Sequence, residues 1–387
     1  MLALRLARGG RPLVQLRRLL LAGASAGTGF LLLCALGWAM GHPEAPGESA
    51  LRLVWCLVPL AATVQFALAV GRTDPGVRPR SALSAAGLGP SGLALLAALS
   101  AGAACALGSA AALLAFLLLR GDLGRLPYAG TASGLLAQEQ PLPLAGVVTL
   151  LLVVPGAVAG ACWLALRPRP RPRPERDEEE PAEAPAPRPA PAGLPWGIAL
   201  LAAGLAVEAY ARRSEDASAL LPGTLAGSPA GVLAGWLVTA VGLALAGPGL
   251  TYQCGRVLQA LRPGAMRLLA GRVLQQEAAR LGRPLGVLCA VASAAFAAAA
   301  LYAGREPRLG PLGTIGALLV TGCAVATLLT AVAEARQERA RSRESLLGLG
   351  AAPALLRGAV ALRAGVLLAV FGPLTWLVAE LAALPLT

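Results

Sequence analysis

The feature that most constrains this chain is a run of about 20 apolar residues, long enough to cross a bilayer core of about 30 Å as a helix, which recurs nine times. The runs fall at 19–40, 53–70, 93–119, 142–166, 196–210, 230–252, 285–302, 312–332 and 360–384. Residues 196–210 form the shortest of them. In lipid every backbone N–H and C=O must find its partner inside the segment, so runs of this length read as helices. The expected fold class is therefore all-α, a polytopic helical membrane protein with about nine transmembrane helices. The first run follows Arg5, Arg8, Arg11, Arg17 and Arg18, as a signal peptide would. It is longer than the 7–15 residues of a signal-peptide core, and it reads as a retained helix.

Charge placement sets the expected orientation. The net charge of +13 comes from 33 basic residues, all arginine. Of these, 25 lie in the stretches 1–18, 71–92, 167–194, 253–284 and 333–359, and 6 lie in 41–50, 120–141, 211–229 and 303–311. This alternation is the positive-inside pattern, not a basic groove for nucleic acid. At 4% aromatic residues, base-stacking platforms are scarce as well. The N-terminus is expected to be cytoplasmic and the C-terminus extracytoplasmic, in a plasma (inner) membrane. With no lysine, the P-loop motif G-x-x-x-x-G-K-[ST] cannot be written, and Schiff-base and lysine-dependent nucleophile chemistry are excluded.

Candidate chemical groups are few. Cys34, Cys56, Cys105, Cys162, Cys254, Cys289 and Cys323 form no C-x-x-C pair and read as small buried residues. The lone His42 sits in a short loop and reads as solvated. Glu208 and Glu380 lie near segment ends, where they are expected to reach headgroups. Gln65 is the clearest polar residue inside a span and is a candidate for lining a pathway, with an interhelical hydrogen bond as the alternative. Gly102, Ala106 and Ser109, and Gly156 and Gly160, have the spacing of close helix packing. Residues 265–281 form an amphipathic stretch with Met266, Leu269, Ala270, Val273 and Leu274 on one face, suited to the inner interface or to a cytoplasmic partner. No catalytic set, metal constellation or cofactor motif is apparent, and the chain is not expected to be an enzyme.

One stretch occurs twice. A constant shift of 263 residues superposes 78–102 on 341–365 without a gap. Arg78 falls on Arg341, Arg80 on Arg343, Leu83 on Leu346, Gly87 on Gly350 and Pro90 on Pro353. The same shift pairs Arg17 with Arg280. Repeats of this kind describe architecture directly. Six crossings separate the copies, so the repeat is parallel rather than inverted.

At this stretch the chain resembles the FtsX-like permease family of ABC transporters, whose signature runs from a membrane helix through an Arg/Glu-rich loop and a Leu-x-x-Leu-Gly-Ala turn into another helix. The better match runs from Ala335-Arg336-Gln337-Glu338-Arg339 through Arg343-Glu344-Ser345-Leu346-Leu347-Gly348-Leu349-Gly350-Ala351. The first copy, around Ala86-Gly87-Leu88-Gly89, has no acid matching Glu344. The resemblance implies a permease subunit that exports or extrudes an amphiphilic substrate, its loops docking a pair of separate ATPase subunits through Arg78, Arg80, Gly87, Pro90, Arg341, Arg343, Glu344, Gly350 and Pro353. A secondary transporter is the alternative, and a non-transporting or decayed scaffold is a third reading.

On this reading 1–166 is a first unit of four helices and 167–194 a Pro/Arg/Glu-rich cytoplasmic linker, kept extended by its prolines. Residues 195–252 supply two connecting helices, and 253–387 a second unit of three. The partner of 142–166 would fall at 405–429, beyond Thr387, so the ten-helix pattern of the larger family members lacks its last helix here. The last segment is then expected to leave Leu367, Leu368, Trp376 and Leu377 uncovered. The outer loops 41–50 and 303–311 are too short for the large external domain many members carry.

Overall fold

The structure, a computed structural model, describes residues 12–73, 90–122, 142–167, 191–213, 230–260, 264–301, 311–348 and 352–383. Ten α-helices and no strand are found among them. They are α1 (Pro12–Gly41), α2 (Pro46–Trp55), α3 (Leu57–Thr73), α4 (Pro90–Arg120) and α5 (Leu144–Leu166), then α6 (Gly193–Arg213), α7 (Ala230–Ala260), α8 (Ala265–Leu301), α9 (Pro311–Gly348) and α10 (Pro353–Ala383). Nine stretches are long and apolar enough to cross a membrane, α2 and α3 together supplying one of them. The chain is an all-α polytopic membrane protein.

Local chemistry sets the helix ends. Proline opens α2 and α10, the position where its missing N–H costs nothing and its fixed φ is already helical. α4 closes on Gly121, whose φ of 97° lies in the left-handed region. The Gly121 N–H donates to Leu118 O and the Asp122 N–H to Leu117 O, each at 3.1 Å, the two bonds of a Schellman stop. α5 ends at Arg167, held extended at φ −60° and ψ 137°, because Pro168 follows and bars the helical region to its predecessor. Pro59 cannot donate to Trp55 O, and the junction between α2 and α3 falls there. Pro155, Pro248, Pro284 and Pro373 lie inside helices, as membrane helices tolerate.

The described helices group into two compact units. The first contains α1 to α5 and residues 311–330 of α9. Its core joins Leu21, Phe66, Cys105, Val158 and Cys162, with Phe116, Leu33 and Leu151 beside Leu312. α1 packs along α4, and α4 along α5. A Cβ placed on Gly108 of α4 would lie 2.9 Å from Ser25 Cβ and 3.0 Å from Ala22 C on α1. Ser25 Oγ donates to Cys105 O at 2.8 Å across the same contact. Thr28 and Thr63 face each other at 2.9 Å, both buried.

The second unit contains α6, α7, α8, residues 331–348 of α9 and α10. α7 packs on two neighbours through glycine. Toward α6, Gly235, Gly242 and Gly249 meet Glu208, Leu201 and Leu194. Toward α8, Gly247 meets Gly282, and Gly255 meets Gly271. Small residues let backbones close in where lipid offers no hydrophobic drive to associate. α8 packs along α10, with Leu243, Cys289, Phe371 and Val378 between them and α7.

The paired helices α4 and α10 carry the paired prolines Pro90 and Pro353 in their first described turns. α4 packs along α1 and α10 along α8, the helices that carry the paired Arg17 and Arg280.

Five expectations are corrected. Gly156 and Gly160 pack against nothing; both are exposed on α5 and a Cβ on either meets open space. α4 and α5 meet through Gly102 against Ala159 instead. Of the α4 set, Gly102 and Ser109 are buried and Ala106 is exposed, because the packing face of α4 runs through Gly102, Cys105, Gly108 and Ala112. Glu208 is not turned to solvent; it is 3% exposed where Gly235 makes room for it. The Arg-rich stretches 253–284 and 333–359 are not loops for most of their length: α7 runs to Ala260, α8 begins at Ala265 and α9 runs to Gly348, since their Ala, Leu, Arg, Gln and Glu are strong helix formers. On α10, Leu368, Trp376 and Leu377 are exposed, while Leu367 packs toward Leu243 and Phe371.

Candidate functional site

The resemblance places function at the Arg-rich segments, and the described part of them is the end of the second unit where α8 begins, α9 ends and α10 begins. α8 starts with Gly264 O accepting from the Arg267 and Leu268 N–H groups at 3.0 Å. Ala270, Leu274, Ala278 and Leu281 recur on one helical face and are buried. That face packs on Leu258 of α7 and on Ala359, Leu362 and Val366 of α10. The amphipathic stretch is therefore the first part of α8; of its apolar face Ala270 and Leu274 are covered within the chain, Leu269 and Val273 are half-buried, and Met266 is exposed.

The polar flank of the same stretch carries Glu277 and Arg280, one turn apart. Arg339 of α9 places its Nε 3.0 Å from Glu277 Oε1 and 2.8 Å from its own Ala335 O. Arg280 pairs with Glu338. Arg363 of α10 turns its Nε back to Ala359 O at 3.2 Å, and its NH1, shielded from solvent, has no hydrogen-bond partner among the described residues. Glu277 is the hub: its charged neighbours are Arg339, Arg363, Arg280 and Glu338. The Glu277 and Arg339 side chains are 13% and 31% exposed, against 41% and 49% for Glu338 and Arg280. The inner pair thus sits out of bulk water, where a hydrogen bond to a charged group is worth about 1.5–3 kcal/mol. The outer pair is worth about 0–1 kcal/mol. Together they tie the end of α9 to the start of α8.

Among the residues expected at this site, Arg341, Arg343 and Glu344 lie on α9 as helical residues. Pro90 and Pro353 lie in the first described turns of α4 and α10, and Pro353 is exposed. Arg78, Arg80, Gly87 and Gly350 lie outside the described residues, and so does most of the linker 167–194. Gln65 is exposed on α3, directly before Phe66 and Ala67, which enter the core; it points away from the interior of its unit. His42 is exposed and stacks on Trp38 with ring centroids 4.3 Å apart, and the Arg52 guanidinium lies 3.8 Å from the same indole centroid. All seven cysteines are buried and free, and no group of His, Cys, Asp and Glu able to hold a metal occurs among the described residues.

Sequence reasoning missed Glu277, Arg280, Glu338, Arg339 and Arg363 as a set. A signal was present in the opposite charges one turn apart on 277–280 and adjacent on 338–339, each on a helix that the repeat places beside α10. No protein-family model matches the chain, and neither a curated protein nor a solved structure does.

Proposed function

We propose that this chain is the membrane-spanning permease subunit of an FtsX-like ABC transporter, working with a pair of separate ATPase subunits to export or extrude an amphiphilic substrate. The observation that carries the reading is the duplication. α4 and α10 carry the paired prolines Pro90 and Pro353, and each follows an Arg-rich segment with paired Arg and Gly positions. Two equivalent segments on one chain suit a partner that comes as a pair. The absence of lysine from the sequence requires that nucleotide chemistry of the P-loop type be supplied by that partner. The arginine bias supports a plasma (inner) membrane location with the N-terminus and both Arg-rich segments cytoplasmic.

The test is co-expression with the ABC ATPase subunits of the source genome, one at a time. The wild-type chain is expected to recover one of them and to stimulate its ATP hydrolysis. Gly350→Pro and the double substitution Arg341→Ala with Arg343→Ala are expected to reduce both. Equal recovery and equal hydrolysis with both variants would remove these segments from the interface.

A second reading, an ion-driven secondary transporter, is favoured by one observation: Glu208 is a carboxylate buried inside a membrane helix, and such groups mark proton and cation routes. Dicyclohexylcarbodiimide, which modifies protonated carboxyls in apolar surroundings, separates the two readings. Labelling of Glu208 together with loss of transport in Glu208→Gln favours the ion-driven reading; transport intact in Glu208→Gln favours the ATPase.

A further inference from the structure

In the sequence, the charges of the ion-pair cluster recur poorly in the other copy of the repeat. Under the shift of 263 residues, Glu277 falls on Val14, Glu338 on Pro75, Arg339 on Gly76 and Arg363 on Ser100. Arg280 alone finds its like, in Arg17. The packing beneath corresponds in the two copies, because α4 packs on α1 and α10 on α8, the helices that the repeat pairs through Arg17 and Arg280. The chemistry on that scaffold does not. Ser100 occupies the place of Arg363 and spends its Oγ on Ala97 O at 2.9 Å. Neither Val14, Pro75 nor Gly76 can make an ion pair.

In the second copy the charges fix a helix. Arg339 is held at two points, Ala335 O on its own turn and Glu277 Oε1 on α8. Arg280 and Glu338 repeat the tie one helical position away. Glu277 stands among three guanidiniums, so its removal leaves Arg280, Arg339 and Arg363 facing one another. Residues 331–348 of α9 therefore cannot swing away from α8 without breaking both pairs and uncovering like charges.

We propose that the second Arg-rich element is clamped, with Glu277 and Arg339 as positioning residues that carry movement of 331–348 directly into α8 and α10. The inference rests on the reading that 333–359 meets an ATPase, and its test keeps the two apart.

The first arm needs no ATPase. Hydrogen exchange is followed on the full chain in lipid nanodiscs for Glu277→Gln, Arg339→Gln, the double variant, Arg339→Lys and the first-copy control Arg17→Gln. Each single neutralisation is expected to speed exchange across 331–348 by at least ~10-fold, since protection reports the local opening free energy. The double variant should fall short of the product of the singles, because the two residues act through one another. Arg339→Lys, which keeps the charge, should restore most of the protection, and Arg17→Gln should change nothing in 331–348. Singles that exchange like the wild type overturn the clamp. The second arm measures hydrolysis by the co-expressed ATPase. Stimulation is expected to fall at least ~5-fold in the singles, about 1 kcal/mol of lost coupling, with ATPase recovery unchanged. Altered exchange with wild-type stimulation overturns the transmission role. Absence of stimulation by the wild-type chain overturns the ATPase reading itself, and the exchange data still decide the clamp.

Discussion

Gly108→Ala places one methyl group where α1 and α4 approach most closely. The new Cβ would run into the backbone oxygen of Ala22, its nearest neighbour, and lie 2.9 Å from Ser25 Cβ and 3.0 Å from Ala22 C, whereas carbon atoms settle at about 3.5–4.0 Å. The helices must part by roughly 1 Å, which forfeits about half of each contact's well along the seam. Overpacking of this kind costs about 1–3 kcal/mol. Separation also stretches the 2.8 Å bond from Ser25 Oγ to Cys105 O, worth about 0.6 kcal/mol between membrane helices. Against this stands the helix-propensity gain of Ala over Gly, about 0.5–1 kcal/mol. The net loss is about 1–2 kcal/mol, a factor of roughly 5–30 in the folded-to-unfolded ratio. Gly156→Ala is the matched control. It has the same chemistry on α5, but no atom lies within 4 Å of its Cβ position, so only the propensity gain remains. Unfolding of both variants by denaturing detergent, followed by tryptophan fluorescence in one mixed-micelle system, should order them as Gly156→Ala, wild type, Gly108→Ala. A Gly108→Ala variant as stable as the wild type, beside a destabilised Gly156→Ala, would refute the packing of α1 on α4 described above.

Two further outcomes follow from the same helices. Thr63→Val removes the buried contact with Thr28 at 2.9 Å and the bond to Pro59 O at 2.8 Å; the expected cost is about 0.5–1.5 kcal/mol, and Thr28→Val added to it should cost little more, as the same detergent titration will read. An impermeant maleimide applied to intact cells should leave the wild type unlabelled, since all seven cysteines are buried. Cysteines introduced in 41–50, 120–141, 211–229 and 303–311 should label, and those in 167–194 should not; labelling of the linker from outside would reverse the orientation.

The membrane fold was legible because lipid leaves the backbone little choice. Nine apolar runs became nine spans, and the paired prolines of α4 and α10 were visible as repeat partners before any helix was seen. Side-chain direction was less legible. In a chain this rich in Ala, Leu and Gly, small-residue spacing occurs on every face of every helix. The Gly156–Gly160 spacing was read as packing and proved to face outward. The heptad of Gly235, Gly242 and Gly249, which carries the α6–α7 contact, was passed over. Its seven-residue period is the mark of one seam sustained over four turns, a stronger signal than a single pair of glycines. Glu208 was misplaced for the reciprocal reason. A carboxylate near a helix end looks solvated in sequence, and only Gly235 on the facing helix shows that it is enclosed.

The charge cluster marks the limit of reading from repeats. Self-similarity identifies what two copies share: the paired Arg, Gly and Pro positions and the helix each packs upon. Function in a duplicated chain can also lie in what the copies do not share. Glu277 and Arg339 are far apart in sequence, sit in stretches that look like ordinary Arg-rich connections, and align with Val14 and Gly76 in the other half. Nothing in one dimension joins them. They meet because the buried face of Ala270, Leu274 and Ala278 docks α8 on α10, which turns the polar flank of α8 toward the end of α9. The 3.0 Å pair between them is thus a consequence of apolar burial on the opposite face. This makes the clamp separable from the fold. Neutralising Glu277 leaves Ala270, Leu274 and Ala278 in place, so α8 should stay docked on α10 while α9 loses the inner of its two ties.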